Sequence, residues 1–201
     1  MKRIQLTSGD VYLTGYENTD IIGNVLDDLQ KNMIADGIVE NINETTLDNY
    51  YKFPFEPDFN KRIRRDFIID RLMDIKKIWP WEDKSVDEIV QISSFEHFQH
   101  RTEVPHIINE AYRVLKVGGI YKFDFPDVVE IVKKYSNKNN DDYLMELVYG
   151  NHKAGGLSEH EYGYTWKSIQ LYFDLNKWSL IKKATVEKDY PSIGVWATKI
   201  K

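Results

Sequence analysis

A group of polar side chains that could take part in catalysis follows an apolar segment at residues 89–92. Ser93 and Ser94 come directly after this segment, and Glu96 and His97 follow them. Histidine titrates near neutral pH, so His97 is a candidate general base for a hydroxyl nucleophile, a role worth roughly 10²–10⁴-fold in rate. The alternative is that Glu96 and His97 cap or brace the helix that comes next.

Further residues could contact a substrate. His100 and Arg101 are nearby alternatives for the base, and the guanidinium of Arg101 could hold an anionic group. Asp124 follows a second apolar segment and could line an acceptor pocket. His152 and Tyr164 belong to a segment rich in glycine, histidine and tyrosine. That segment suits a sugar or nucleotide-like acceptor, or it is an ordinary surface loop with packed tyrosines.

These side chains need a scaffold of parallel strands to bring them together. Residues 89–92 and 120–125 are apolar and indicate strands. Between them, the apolar positions of residues 104–115 recur at helical spacing, and Gly118-Gly119 is the predicted stop. Two parallel strands joined by one helix, with polar groups after the first strand, form half of a nucleotide-type binding crevice.

The rest of the chain alternates short strands with helices. Strands are predicted at residues 3–6, in a short run ending at 20, and at 67–69, 180–186 and 193–200; helices are predicted at 25–37, 128–135, 143–148 and 168–175. This pattern predicts an α/β fold, a Rossmann-like doubly wound sheet that is mostly parallel, with an antiparallel C-terminal edge strand. We expect one domain over residues 1–201, with an irregular insertion at about 22–65 that could be a lid, a dimer surface or a substrate selector.

Composition narrows the possible partners. The 27 basic and 32 acidic residues give a net charge of -5, which argues against a nucleic-acid groove. The basic run at residues 61–65 is short and followed by Asp66, as expected for a solvated face. The chain has no cysteine, shows no signal peptide and has no apolar stretch long enough for a bilayer. We therefore expect a cytoplasmic protein without membrane contact; the sequence leaves its oligomeric state open.

Several sequence blocks together resemble a known family, the class I S-adenosylmethionine-dependent methyltransferases, and more narrowly their small bacterial and phage branch. The blocks are Gly15-Tyr16-Glu17-Asn18-Thr19-Asp20, Trp81-Glu82-Asp83-Lys84-Ser85-Val86-Asp87-Glu88-Ile89, Phe95-Glu96-His97-Phe98, Tyr112-Arg113-Val114-Leu115-Lys116-Val117-Gly118-Gly119 and Glu161-Tyr162-Gly163-Tyr164-Thr165. The resemblance covers most of the chain outside residues 22–65. It implies S-adenosylmethionine as the cofactor and S-adenosylhomocysteine as the product.

The resemblance also implies where the cofactor binds. Thr7, Ser8 and Gly9 form the turn after the first strand, where glycine lets the backbone approach the methionyl part of the ligand. Asp20 corresponds to the acidic residue that accepts hydrogen bonds from the ribose hydroxyls. Asp74 corresponds to the aspartate that accepts from the adenine amino group, with Ile75 beside it as an apolar wall. Ser93 and Ser94 lie at the carboxyl end of the fourth strand, where such sheets place their ligand.

The sequence departs from the family pattern at three points. Thr7 stands where the first glycine of a Gly-x-Gly turn is usual, and a β-branched residue narrows the conformations of that turn. The connection from Gly9 to Asp20 is short for a parallel crossover. Either it is a single helical turn or the first two strands are misplaced. Some relatives carry Glu-x-x-Glu-His, a potential metal cluster, but Ser93 replaces its first glutamate, so no required metal is predicted.

The leading hypothesis is a methyltransferase that acts on a small molecule or a saccharide. The second is a methyltransferase-like binding protein that has lost catalysis, which the altered turn at Thr7 favours. A third, a nucleotide-sugar binder in the same crevice, lacks the glycine-rich phosphate loop expected before a helix.

Overall fold

The computed structural model describes residues 1–9, 11–25, 44–45, 68–137, 141–150, 159–184 and 190–201. Its strands are β1 (Arg3–Leu6), β2 (Tyr12–Leu13), β3 (Glu17–Asp20), β4 (Asn24–Val25), β5 (Glu44–Thr45), β6 (Ile68–Ile69), β7 (Arg71–Leu72), β8 (Val86–Gln91), β9 (Leu115–Pro126), β10 (Trp178–Ala184) and β11 (Ser192–Lys199). Its helices are α1 (Glu103–Val114), α2 (Val128–Tyr135), α3 (Asp141–Tyr149) and α4 (Trp166–Gln170), and a 3₁₀ turn spans Phe95–His97.

The central sheet has seven strands in the order β10-β11-β9-β8-β1-β3-β7. All neighbours from β9 to β7 pair in parallel, whereas β11 runs antiparallel to both β9 and β10. The predicted α/β sheet with an antiparallel C-terminal strand is therefore confirmed. The strand order reverses between β1 and β8, and in such sheets ligands bind at the carboxyl ends of the strands that flank this point.

Helix α1 connects β8 to β9, as the apolar spacing predicts. Val104, Ile107, Ile108, Ala111 and Val114 are all buried along one face of the helix. This i, i+3, i+4 pattern places a continuous apolar stripe against the sheet. The stripe belongs to the main core cluster, which also contains Trp79, Trp81 and Trp178.

The glycine pair after α1 has a different role from the predicted helix stop. The helix ends at Val114, and Leu115 already begins β9. Gly118 has a φ of 82°, and the pairing of β8 with β9 shifts register between Val86 and Glu88. The glycines therefore form an irregularity within the strand, where a left-handed residue is needed.

The connection between β1 and β3 is short because it contains a strand rather than a helix. Both flanking strands lie where predicted, and the described part of the connection contains β2, which pairs in parallel with β5. The buried Asn18 amide holds this short connection in place. Its Oδ1 accepts from the Leu13 amide at 2.8 Å, and its Nδ2 donates to the Leu13 and Tyr16 carbonyls at 3.2 and 3.0 Å.

Two further predictions change at their boundaries. The predicted helix at 168–175 is the shorter α4, because Leu171 and Leu175 beyond it are exposed and offer no apolar face to bury. Within the predicted irregular insertion, β4 pairs with β6 and β5 pairs with β2. The rest of that insertion, most of the predicted helix from Val25, and the basic run at 61–65 lie outside the described residues. No helix in the described part of the chain is long and apolar enough to cross a bilayer.

Candidate functional site

The turns after β1 and β8 are joined by a chain of side-chain hydrogen bonds. Thr7 Oγ1 lies 2.6 Å from Ser94 Oγ and donates to the Leu6 carbonyl at 2.7 Å. Ser94 Oγ in turn accepts from Gln91 Nε2 at 3.0 Å, and the Tyr121 hydroxyl donates to Gln91 Oε1. Since each hydroxyl can donate once, the chain runs from Gln91 through Ser94 to Thr7. The predicted cofactor residues Thr7 and Ser94 therefore meet at the strand-order reversal.

Gly9 and Asp20 form the second element of the site. The Gly9 amide donates to Asp20 Oδ2 at 2.9 Å, while Asp20 Oδ1 accepts from the Ile21 amide at 2.7 Å. Gly9 has a φ of +55°, and a Cβ built there meets no atom of the described residues within 4 Å, so this turn faces open space within the described part of the chain. Ser8 Oγ is buried and has no hydrogen-bond partner among the described residues. An orphaned hydroxyl beside an open glycine leaves room and a polar contact for a ligand.

Asp74 and Ile75 follow β7, the edge strand beside β3. The Met73 amide donates to the Asp20 carbonyl at 2.7 Å, which holds this segment next to the end of β3. Asp74 Oδ1 accepts from the Lys76 amide at 3.0 Å. Ile75, in contrast, is 3% exposed in the main core, and its carbonyl accepts from Trp79 Nε1. Its side chain therefore packs inward and does not form the predicted apolar wall of the crevice.

Asp124 is buried beneath the Ser93 turn and does not line the site. The residue is 0% exposed, and its Oδ1 accepts from the Ser93 amide at 2.6 Å. Ser93 has a φ of 47°, an unusual conformation for a non-glycine residue. A charged acceptor on the Ser93 amide can stabilise this strained turn. The expectation that Asp124 contacts an acceptor is not met because its carboxylate is enclosed.

The 3₁₀ turn after Ser94 carries His97 toward a neighbouring segment. His97 Nδ1 lies 2.8 Å from the Glu159 carbonyl, and the His97 and His160 rings meet edge to face with centroids 5.0 Å apart. The Glu96 carbonyl accepts from the Glu161 amide at 2.8 Å. Residues 96 and 97 thus brace the segment that leads into α4, while Thr102 is the N-cap of α1.

The remaining predicted substrate residues separate into two environments. His100 stacks on Tyr162 with ring centroids 4.1 Å apart, and Arg101 is exposed nearby. Tyr164 is 0% exposed and packs against Phe95, and burial raises the pKa of its hydroxyl. Tyr164 therefore forms the inner wall of this region and does not contact a solvent-borne substrate. His152 lies outside the described residues.

The structure adds one residue that the sequence reasoning missed, His160. Glu96, His97 and His160 each offer a ligand atom, and these atoms all lie within 4.8 Å of one another. His160 is far from the other two in the chain, so no local spacing could have identified it. The prediction that no metal is required took only Glu96 and His97 into account, because His160 could not be assigned to this group from the sequence.

The Tyr112-Arg113-Val114-Leu115 block has a structural role. Arg113 donates from Nη2 and Nε to the Glu110 carboxylate at 2.7 and 2.9 Å, and to the carbonyls of Trp79 and Trp81. This fork ties α1 to the loop before β8 and holds the pKa of Glu110 below its usual value. The block therefore holds α1 against the sheet and lies away from the carboxyl ends of the strands, where the candidate site is.

Comparisons with known proteins agree with this fold. Residues 28–123 match the sequence model of a family described as a methyltransferase domain. A solved structure from Pyrococcus horikoshii OT3 is 15% identical, with a TM-score of 0.54 over 98% of this chain and 81% of that one.

Two other solved structures are similar in fold. A SAM-dependent methyltransferase from Methanosarcina mazei is 14% identical, with a TM-score of 0.54 over 99% of this chain and 92% of that one. An S-adenosylmethionine-dependent methyltransferase from Clostridium acetobutylicum is 13% identical, with a TM-score of 0.54 over 98% and 83%. No curated protein matches the sequence.

Proposed function

We propose that this chain is a class I S-adenosylmethionine-dependent methyltransferase that transfers a methyl group to a small molecule or a saccharide. The observation that carries the proposal is the hydrogen bond from the Gly9 amide to Asp20, which joins the turn after β1 to the end of β3, next to the strand-order reversal. An open glycine turn beside a carboxylate suits the ribose and methionyl parts of the cofactor.

S-adenosylmethionine supplies, when bound, a methyl group on a positively charged sulfur. The residues that would hold it are Gly9 and Asp20, with Asp74 for the adenine amino group and Ser8 as an additional hydroxyl. The buried Ser8 Oγ and the open space at Gly9 support this fit. Thr7 and Ser94 would lie beneath the cofactor between the two turns, because their hydroxyls hydrogen-bond to each other.

His97 is our candidate for the general base when the acceptor is a hydroxyl. Its Nδ1 lies at the Glu159 carbonyl, and a carbonyl can only accept, so the neutral ring carries its proton on Nδ1. Nε2 then has the lone pair that can take a proton. The turn containing His97 directly follows Ser94, and this position after β8 supports a role for the ring on the acceptor side of the crevice.

The acceptor class is supported by the surface near His97. His100 and Tyr162 present a stacked aromatic pair, and Arg101 adds an exposed cation. Aromatic faces with nearby polar groups suit a sugar ring or another small polar molecule. The net charge of -5 does not favour a nucleic-acid acceptor.

Isothermal titration with S-adenosylmethionine and S-adenosylhomocysteine tests the cofactor assignment. We expect Asp20→Ala to weaken both affinities at least ~5-fold, because a carboxylate acceptor is lost. Asp174→Ala, which changes an exposed aspartate after α4, is the matched control and should bind as the wild type. Wild-type affinity in Asp20→Ala, with both variants folded, would refute the placement.

The second candidate is a binding protein that has lost catalysis, and the left-handed Thr7 in the cofactor turn favours it. Thr7 has a φ of 50° where the family uses glycine. A screen of sugar and small-molecule acceptors with labelled S-adenosylmethionine separates the two. Methyl transfer to any acceptor supports the enzyme; cofactor binding without transfer across the screen supports the binding protein.

A further inference from the structure

Two polar residues of the core, Gln91 and Tyr121, lie on neighbouring strands close to the candidate cofactor turns. Both are 0% exposed, and the Tyr121 hydroxyl donates to Gln91 Oε1. The Tyr121 ring packs on Phe123 with ring centroids 4.8 Å apart. Apolar side chains of similar size would fill this part of the core without the cost of burying polar groups. Packing alone therefore does not explain the pair.

The hydrogen bonds that lead from this pair to the cofactor turns run in a single direction. Thr7 Oγ1 donates its only proton to the Leu6 carbonyl at 2.7 Å, so the Ser94 hydroxyl donates to Thr7. Ser94 Oγ accepts from Gln91 Nε2 at 3.0 Å, which leaves Gln91 Oε1 to face the Tyr121 hydroxyl. Burial raises the pKa of Tyr121 well above its usual value, so this hydroxyl stays a donor. Each group in the chain thus fixes the orientation of the next.

The two cofactor turns are anchored to different strands. In the turn after β1, the Ser8 amide donates to the Thr19 carbonyl of β3 at 3.0 Å. In the turn after β8, the Ser93 amide donates to Asp124 Oδ1 of β9 at 2.6 Å. Because β3 and β9 lie on opposite sides of the β1–β8 pair, these anchors hold the turns toward opposite sides of the sheet.

The bond from Ser94 to Thr7 joins the two turns directly, beyond the point where their strands separate. Leu6 and Gln91 are the last paired residues of β1 and β8. Each turn also carries a left-handed residue, Thr7 with a φ of 50° and Ser93 with a φ of 47°. Strained residues of this kind persist only where the surrounding contacts hold them. The separation of the turns therefore depends on the groups that orient the Ser94 hydroxyl.

We propose that Gln91 and Tyr121 are positioning residues for the cofactor. They orient Ser94, and through it Thr7, so that the two turns have the separation required by S-adenosylmethionine before it binds. A site held in its bound geometry in advance binds more tightly, because less order has to be imposed on binding. The role rests on the proposed methyltransferase function, and neither buried side chain touches the cofactor itself.

Apolar replacement of one or both residues separates positioning from stability. Tyr121→Phe leaves Gln91 Oε1 unpaired, and Gln91→Met leaves the Tyr121 hydroxyl unpaired, so each single variant should be less stable than the wild type. The double variant removes both partners and should recover part of that stability. Since none of the three keeps the complete chain, we expect all of them to bind S-adenosylmethionine and S-adenosylhomocysteine at least ~5-fold more weakly.

Isothermal titration and urea denaturation of the same samples give the two quantities. Tyr112→Phe is the matched control, because it removes a tyrosine hydroxyl that donates to the Lys201 carbonyl at 2.7 Å. It should bind both cofactor forms as the wild type does. Weak binding by the double variant despite its recovered stability supports the positioning role. Wild-type affinity in the folded double variant overturns it.

A second comparison tests whether the effect passes through Ser94, and it does not require a change at Gln91. Tyr121→Phe keeps the buried ring, and in a Ser94→Ala background, where the chain is already broken, it should cause no further loss of cofactor affinity. An equal loss in both backgrounds would overturn the proposed route. A wild-type chain that binds neither cofactor form overturns the proposed function and this role with it, whereas wild-type binding with unchanged affinity in the variants removes the positioning role alone.

Discussion

Thr7 Oγ1 lies 2.6 Å from Ser94 Oγ, and this contact joins the turn after β1 to the turn after β8. Thr7 therefore contributes a hydroxyl that a glycine, the residue expected here from the resemblance, could not supply. The conformation remains costly, since a β-branched residue at a φ of 50° lies in the left-handed region. Thr7 thus exchanges backbone strain for a hydrogen bond across the site.

Substitutions at Thr7 separate these two effects. Thr7→Ala keeps a Cβ in the left-handed turn and loses the hydroxyl, so we expect it to lower the free energy of unfolding by ~1 kcal/mol. Thr7→Gly also loses the hydroxyl but removes the strain, so it should be ~1 kcal/mol more stable than Thr7→Ala. Urea denaturation measures both. Equal stability of the two variants would mean that the turn is unstrained.

Gly9→Ala probes how closely the cofactor approaches the turn. Among the described residues the added Cβ meets no atom within 4 Å, but the φ of +55° should cost ~1–2 kcal/mol of stability. We expect the affinity for S-adenosylmethionine to fall further than this strain explains, because the methyl group projects into the proposed ligand space. Calorimetric titration and thermal unfolding of the same sample give the two quantities. Unchanged affinity would place the ligand elsewhere.

Asp124→Ala should act on stability because the carboxylate is enclosed and supports Ser93. Losing the 2.6 Å bond to the Ser93 amide should cost ~1–3 kcal/mol. Asp124→Asn retains an oxygen acceptor and should lose less. Chemical denaturation of the pair measures the difference. If both variants kept wild-type stability and changed only acceptor affinity, Asp124 would contact the substrate after all.

Glu110 predicts an acid-dependent loss of stability. Its hydrogen bonds from Arg113, and then from the Trp79 amide, hold its pKa in the folded state below the ordinary 4.5. The unfolded chain therefore takes up the proton first, and the stabilisation present above about pH 4.5 is lost as the pH falls through the folded-state pKa. The stability advantage of wild type over Glu110→Gln should stay constant down to about pH 5 and shrink as the pH falls below about 4.5. A constant difference would exclude this linkage.

The periodicity of apolar residues predicts helices and strands that bury one face. It does not predict segments whose conformation depends on residues far away in the chain. The apolar stripe of α1 and the strands on either side are visible in the sequence because burial of one face imposes a helical or strand period. The sequence did not predict the conformation of the β1–β3 connection. That conformation depends on hydrogen bonds between the Asn18 side chain and Leu13, which exist only in the folded chain.

The site shows the same limit. The resemblance to the methyltransferase family implied Thr7, Gly9 and Asp20 as cofactor residues, and the position of Ser94 after an apolar strand pointed to the same edge of the sheet. The structure brings these four residues to the carboxyl ends of neighbouring strands. Ile75 and Tyr164 are buried because of how distant segments pack around them. The neighbouring sequence therefore did not predict that their side chains point into the core. His160 reaches Glu96 and His97 through backbone bonds between segments far apart in the chain.

The position of β11 sets an order of assembly. It lies between β9 and β10, both of which precede it in the chain, and it provides the hydrogen-bonded neighbour that joins β10 to the sheet. During synthesis, β10 must therefore wait for β11 before it can dock, and the edge of β9 stays open until then. An unpaired edge of this kind is where nascent chains associate wrongly, so the interval before β11 emerges is the vulnerable period of folding.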